Sequence, residues 1–89
     1  MKVLKKNRIK EEFNLSKVRR SIANAASDAN IILNESDLSN ICKTVEDVLK
    51  ADGKEETSSY EIFGVIVFKL KELDYKEVAK EYIKSGLDL

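Results

Sequence analysis

The chain has 89 residues, with 16 basic and 16 acidic side chains and no histidine, so its formal net charge is zero. A single cysteine, Cys42, and the lack of histidine exclude a zinc finger, a disulfide scaffold and a Cys/His catalytic pair. The longest apolar run, Val65 to Phe68, is far too short to span a membrane.

The zero conceals a split. Residues 1–20 carry Lys2, Lys5, Lys6, Arg8, Lys10, Lys17, Arg19 and Arg20 against Glu11 and Glu12, a net of +6, and the rest of the chain balances it at −6. An anion is therefore drawn to the N-terminal quarter and repelled by most of the remainder. A hydrophobic content of 43% argues against disorder, and three glycines with no proline point to regular, mostly helical structure. One cysteine and no signal-peptide core fit a reducing, cytoplasmic setting.

In chain order, Val3, Ile9 and Phe13 are β-formers interrupted at Asn7-Arg8, where a two-residue turn would sit. This predicts a basic hairpin over 2–13, with strands near 2–6 and 9–13. The period of two sets Val3 with Lys5, and Ile9 with Glu11 and Phe13. If Val3 and Phe13 face the core, Lys5 and Glu11 point inward at its edge. Asn14 or Ser16 then caps a helix over 15–28, with Val18, Ile22, Ala25 and Ala29 as its apolar stripe. Ile31-Ile32-Leu33 reads as an apolar connection that plugs the core.

A second helix over 35–51 presents Leu38, Ile41, Cys42, Val45, Val48 and Leu49 on one face and stops at Asp52-Gly53. Residues 54–57 read as a solvated loop. Ser58 or Ser59 caps a third helix over 59–73, apolar nearly all round and so central. Asp74 separates it from a fourth helix over 75–85, which Gly86 ends; Tyr75 and Tyr82 pack with their hydroxyls at the surface. The expected architecture is mainly α, one domain over 1–89: a four-helix bundle capped by a short N-terminal β-hairpin.

Taken alone, the cations have two readings. Lys5, Lys6, Arg8 and Lys17, beside a helix N-terminus, suit a phosphate, or they are solvated lysines that blunt an edge strand. Arg20 either reaches the same anion or pairs with the acidic surface of 35–56, while Arg19 reads as exposed. Phe13, Ile62, Phe63 and Ile66 make either an adenine slot or plain core. No nucleophile has a base, no acid–base dyad is present and no Gly-rich Walker loop occurs, so an enzyme is not expected.

The motifs Val3-x-Lys5-Lys6, Phe13-x-x-x-Lys17-Val18-x-x-Ser21-Ile22, Ser59-x-x-Ile62-x-x-x-Ile66-x-x-x-Leu70 and Leu73-Asp74-x-x-x-Val78-Ala79-x-x-Tyr82 together resemble an ATP-cone domain across nearly the whole chain. The resemblance implies an ATP-cone-like bundle and an allosteric module that binds ATP or dATP, with Mg²⁺. It would act on a ribonucleotide-reductase-related partner or on its own oligomerisation. It assigns Lys5, Lys6 and Lys17 to phosphates, Glu11 to a lid position reaching base or ribose, and Ser59 to the nucleotide's side. The family's hairpin glycine is replaced by Arg8, which would strain a left-handed turn while offering a further phosphate contact. Phe63 stands where some members have a polar nucleotide contact. The alternative is a degenerate cone that serves as a helical protein–protein module without a ligand. A nucleic-acid partner is not expected, because the total charge is nil and the remainder acidic.

Overall fold

In a computed structural model, which describes residues 1–87, a small sheet lies against four helices. The last two positions of the expected domain lie outside the described residues. Strands β1 (Lys2–Leu4) and β2 (Lys10–Glu12) form the hairpin, with Val3 opposite Glu11. The turn is not the two-residue type expected. Lys5 N–H donates to the Ile9 carbonyl at 2.9 Å and Arg8 N–H to the Lys5 carbonyl at 2.9 Å, which leaves a loop of Lys6, Asn7 and Arg8. Arg8 takes φ +69°, the left-handed conformation that closes such a loop and that glycine adopts most readily.

Helix α1 (Leu15–Asp28) starts on Asn14, whose side chain accepts from Ser16 N–H at 2.9 Å. It ends with Asn30 at φ +58° and Ile31 N–H donating to the Ala26 carbonyl at 2.9 Å, a left-handed stop made without glycine. Ile31 and Leu33 then pack on the core, but Ile32 is 96% exposed, so only two of the three connecting residues plug it. Helix α2 (Glu35–Leu49) is capped by Asn34 and stops before residue 51; a 3₁₀ turn over Ala51–Gly53 follows.

The segment read as a solvated loop instead contains a third strand, β3 (Glu56–Ser58), which pairs in parallel with β1 and places Val3 beside Thr57. The sheet order is β2-β1-β3. Thr57 is 5% exposed, and its hydroxyl donates to Glu61, which also accepts from Lys54. Those bonds, Lys54 first, hold the Glu61 carboxyl below its ordinary range. β3 runs directly into helix α3 (Ser59–Glu72), with Ser58 rather than Ser59 as the cap.

Helix α3 closes at Asp74, φ +70°, where Tyr75 N–H donates to the Leu70 carbonyl at 2.7 Å. The chain thereby reverses into helix α4 (Lys76–Leu87) within three residues. Gly86 lies inside that helix and does not end it.

The core runs between the helices. Ile22 of α1, Ile41, Val45 and Leu49 of α2, Ile66 and Leu70 of α3, and Val78 of α4 are fully buried. Burial of each such side chain is worth roughly 1.5–3 kcal/mol. Cys42 belongs to the same core, and burial pushes its thiol up. Arg19, expected exposed, is half-buried and ties α1 to Glu35 and Ser39 of α2, at 3.0 Å from the serine. No helix among the described residues is long and apolar enough to cross a membrane.

Candidate functional site

A cavity of about 340 Å³ opens between the hairpin and three helices, at the small end of the range for ligand pockets. The hairpin contributes Val3, Lys5, Glu11 and Phe13, all on the face that the period of two assigns to the interior. Glu12 adds to the rim, with its carboxylate held by Lys2 at 2.7 Å, a bond that keeps it below the ordinary carboxylate range. From α1 and its cap come Asn14, Lys17, Val18, Ser21 and Asn24, the i, i+3, i+4, i+7, i+10 spacing of one helical face. Ser59, Ile62, Phe63 and Ile66 form the α3 wall, and Tyr82, Ser85 and Gly86 the α4 wall.

The charge at the mouth is organised. One Glu11 oxygen lies 3.9 Å from Lys5 Nζ and 3.6 Å from Lys17 Nζ. Two lysines from different elements thus converge on a single carboxylate beside the N-terminus of α1, where the helix dipole also favours an anion. The floor is apolar and aromatic. The Phe63 and Tyr82 rings are 5.7 Å apart at 36°. Gly86 makes room for them: a Cβ there would fall 1.9 Å from Phe63 Cε2.

Two polar groups lie deep in this cavity. Ser21 Oγ donates to the Val18 carbonyl at 2.8 Å, so the Tyr82 hydroxyl, 3.0 Å away, is the donor in their shared bond. Burial pushes the Tyr82 phenol above its usual value. Its hydroxyl is therefore inside, and not at the surface as expected. Ser59 Oγ is buried with no hydrogen-bond partner. An orphaned hydroxyl on a cavity wall is a group left for a ligand to satisfy.

Of the eight residues singled out in the sequence, the cavity brings together Lys5, Glu11, Lys17, Ser59 and Phe63. Lys6, Arg8 and Arg20 are not among its lining. Lys6 lies over the exposed Tyr60 ring at 5.6 Å, Arg8 is exposed at the hairpin turn and Arg20 is exposed on α1. Sequence reasoning missed Tyr82, Ser85 and Gly86 as site residues. Their i, i+3, i+4 spacing was the available signal, but a helical stripe of this kind reads equally well as packing. Among the described residues no group of three acidic, histidine or cysteine side chains could hold a metal ion.

The family model for the ATP cone domain matches residues 1–85. The chain is also 33% identical over 72 residues to a transcriptional repressor, NrdR, of Lacticaseibacillus casei (strain BL23), and equally to that of Lacticaseibacillus paracasei. The match covers 81% of this chain and 45% of the repressor, so the chain spans about half the length of the relatives it matches.

One expectation is corrected by these relatives. Nucleic acid was not expected as a partner, and that exclusion is overturned, because the proteins this chain resembles are repressors of transcription. The physical reason is that net charge describes only the surface of this chain. It carries no information about a partner engaged through a longer protein or an assembly.

Proposed function

The chain belongs to the ATP-cone family, and from that premise we propose that the cavity beneath the hairpin takes one ATP or dATP, with Mg²⁺ carried on its phosphates. The observation that supports this most is the convergence of Lys5 and Lys17 on Glu11 at the mouth. A polyphosphate outcompetes a lone carboxylate for two ammonium groups and a helix N-terminus. Lys5, Lys6 and Lys17 then meet phosphate, and Arg8 and Arg20 reach it once the hairpin closes. Glu11, released from the lysines, turns to ribose or base. Ser59 supplies its unused hydroxyl, and Phe63 offers a ring face to the base.

Ligand binding then orders the hairpin and biases a regulatory surface. The family is regulatory, and no catalytic step is proposed. Its effect falls on a ribonucleotide-reductase-related partner or on the chain's own association, in the cytoplasm, where a bacterial repressor of transcription works.

Calorimetric titration with ATP, dATP and GTP in Mg²⁺ tests the reading. Binding of an adenine nucleotide is expected, with loss of at least about tenfold in affinity for Lys5→Ala and for Lys17→Ala, as for a charged hydrogen bond of about 1.5–3 kcal/mol. No heat at millimolar nucleotide overturns it. A second reading, a cone that has kept the fold and lost the ligand, is favoured by the Phe63 ring seated on Gly86 within the cavity. It requires a melting temperature indifferent to ATP.

A further inference from the structure

One hydrogen bond in the cavity wall has its direction fixed by the helix around it. Ser21 Oγ has a single proton, and that proton goes to the Val18 carbonyl, 2.8 Å away within α1. The Tyr82 hydroxyl of α4, 3.0 Å from Ser21 Oγ, therefore gives its own proton to the serine oxygen. Both protons of the pair are committed within the protein. Lone pairs are all that remain on the two oxygens, and both residues line the cavity. The pair can accept from a ligand and cannot donate to one.

The neighbouring polar groups have no such fixed direction. Asn24 lies three residues on from Ser21, and Ser85 three on from Tyr82, one turn further along the two helices. Both are exposed. The Ser59 hydroxyl has no partner. Each of these three can turn to give or to accept. Discrimination between a donor and an acceptor on the ligand falls to the group that cannot turn.

The position of the pair names the part of the ligand it meets. Lys5 and Lys17 stand at the mouth, where the phosphates go. The Phe63 ring, which takes the base, is 5.7 Å from the Tyr82 ring. Tyr82 then stands at the edge of the base. A 6-aminopurine can turn an N–H of its amino group toward the phenol oxygen. A 6-oxopurine of nearly the same shape sets its oxygen lone pairs against lone pairs, and a buried polar group left unmatched is costly.

We propose that the Ser21–Tyr82 pair selects the base of the bound nucleotide. Tyr82 is the acceptor for an exocyclic amino group, and Ser21 is the positioning residue that draws the phenol proton away from the ligand. The proposal rests on the nucleotide reading above and adds to it the group that separates 6-amino from 6-oxo purines.

Calorimetric titration of the full chain with ATP and with inosine triphosphate, in Mg²⁺, tests it. ATP is expected to bind at least about tenfold more tightly, the effect of one reversed hydrogen bond. Ser21→Ala leaves the phenol proton free to turn to the ligand. It should therefore lower the preference for ATP at least about threefold, through tighter binding of the inosine nucleotide. Loss of packing alone would weaken both nucleotides alike. Ser21→Thr keeps the hydroxyl and should keep the original preference. In the double variant Ser21→Ala, Tyr82→Phe no phenol proton exists, and the gain for the inosine nucleotide should vanish. Equal binding of the two nucleotides by the original chain, a preference unmoved by Ser21→Ala, or a gain that survives in the double variant overturns the inference and leaves the nucleotide reading standing. Binding of neither nucleotide overturns both.

Discussion

Gly86→Ala isolates the packing of the cavity floor. An ideal Cβ at this position lies 1.9 Å from Phe63 Cε2, 2.7 Å from Cδ2 and 2.8 Å from Cζ. The ring must therefore swing, and the direction open to it is the cavity it lines. Moving it forfeits its contact with Tyr82, worth about 0.5–1.5 kcal/mol for an aromatic pair, and adds strain of about 1–3 kcal/mol typical of an overfilled site. The helix gains up to about 1 kcal/mol from losing a glycine, less near the end of α4. The net expectation is destabilisation of about 1–4 kcal/mol. Gly64→Ala is the matched control, because its Cβ meets nothing within 4 Å, and it should stabilise by about 0.5–1 kcal/mol. Urea unfolding of dilute protein measures both. Phe63→Ala should abolish the penalty of a second substitution at Gly86, so the double-mutant cycle assigns the coupling to that one ring. If Gly86→Ala is as stable as Gly64→Ala, the clash and the reasoning built on it are refuted.

Two further outcomes follow from the backbone and from burial. Arg8→Gly relieves the left-handed turn at φ +69°, and it should stabilise by about 0.5–1 kcal/mol after the added freedom of the unfolded chain is counted. A melting rise of about 4 °C is expected for a domain of this size, and a fall would show that the turn draws on the arginine side chain. For Tyr82, the folded chain holds the phenol proton more tightly than the unfolded chain does. Its contribution is complete below the ordinary tyrosine pKa of about 10 and is lost as pH rises through the higher folded value. Tyr82→Phe should flatten the alkaline fall in stability. An identical fall in the variant would place that titration elsewhere.

Much of this protein is legible in its residues. The apolar spacing of Val18, Ile22 and Ala25, or of Leu38, Ile41 and Val45, encodes a helical face wherever the helix docks. Asn14, Asn34 and Ser58 encode starts, because each carries a side-chain acceptor where a helix has free N–H groups. The alternation of the hairpin grouped Val3 with Lys5 and Glu11 with Phe13, and these four line the cavity, while Ile9, grouped with Glu11 and Phe13 by the same period, lies beside the turn and is 56% exposed.

Tertiary structure decided the rest. Strand β3 has three residues, too few for a periodic signal, and it is a strand only because β1 offers it an unpaired edge. The burial of Thr57 goes with that pairing, which sets it beside Val3. The inward hydroxyl of Tyr82 depends on Ser21, 61 positions earlier in the chain. The role of Gly86 depends on where the Phe63 ring comes to rest. The neutral total charge is a property of composition. The meeting of Lys5 and Lys17 on Glu11 is a property of the fold, because it requires the hairpin to lie beside the start of α1.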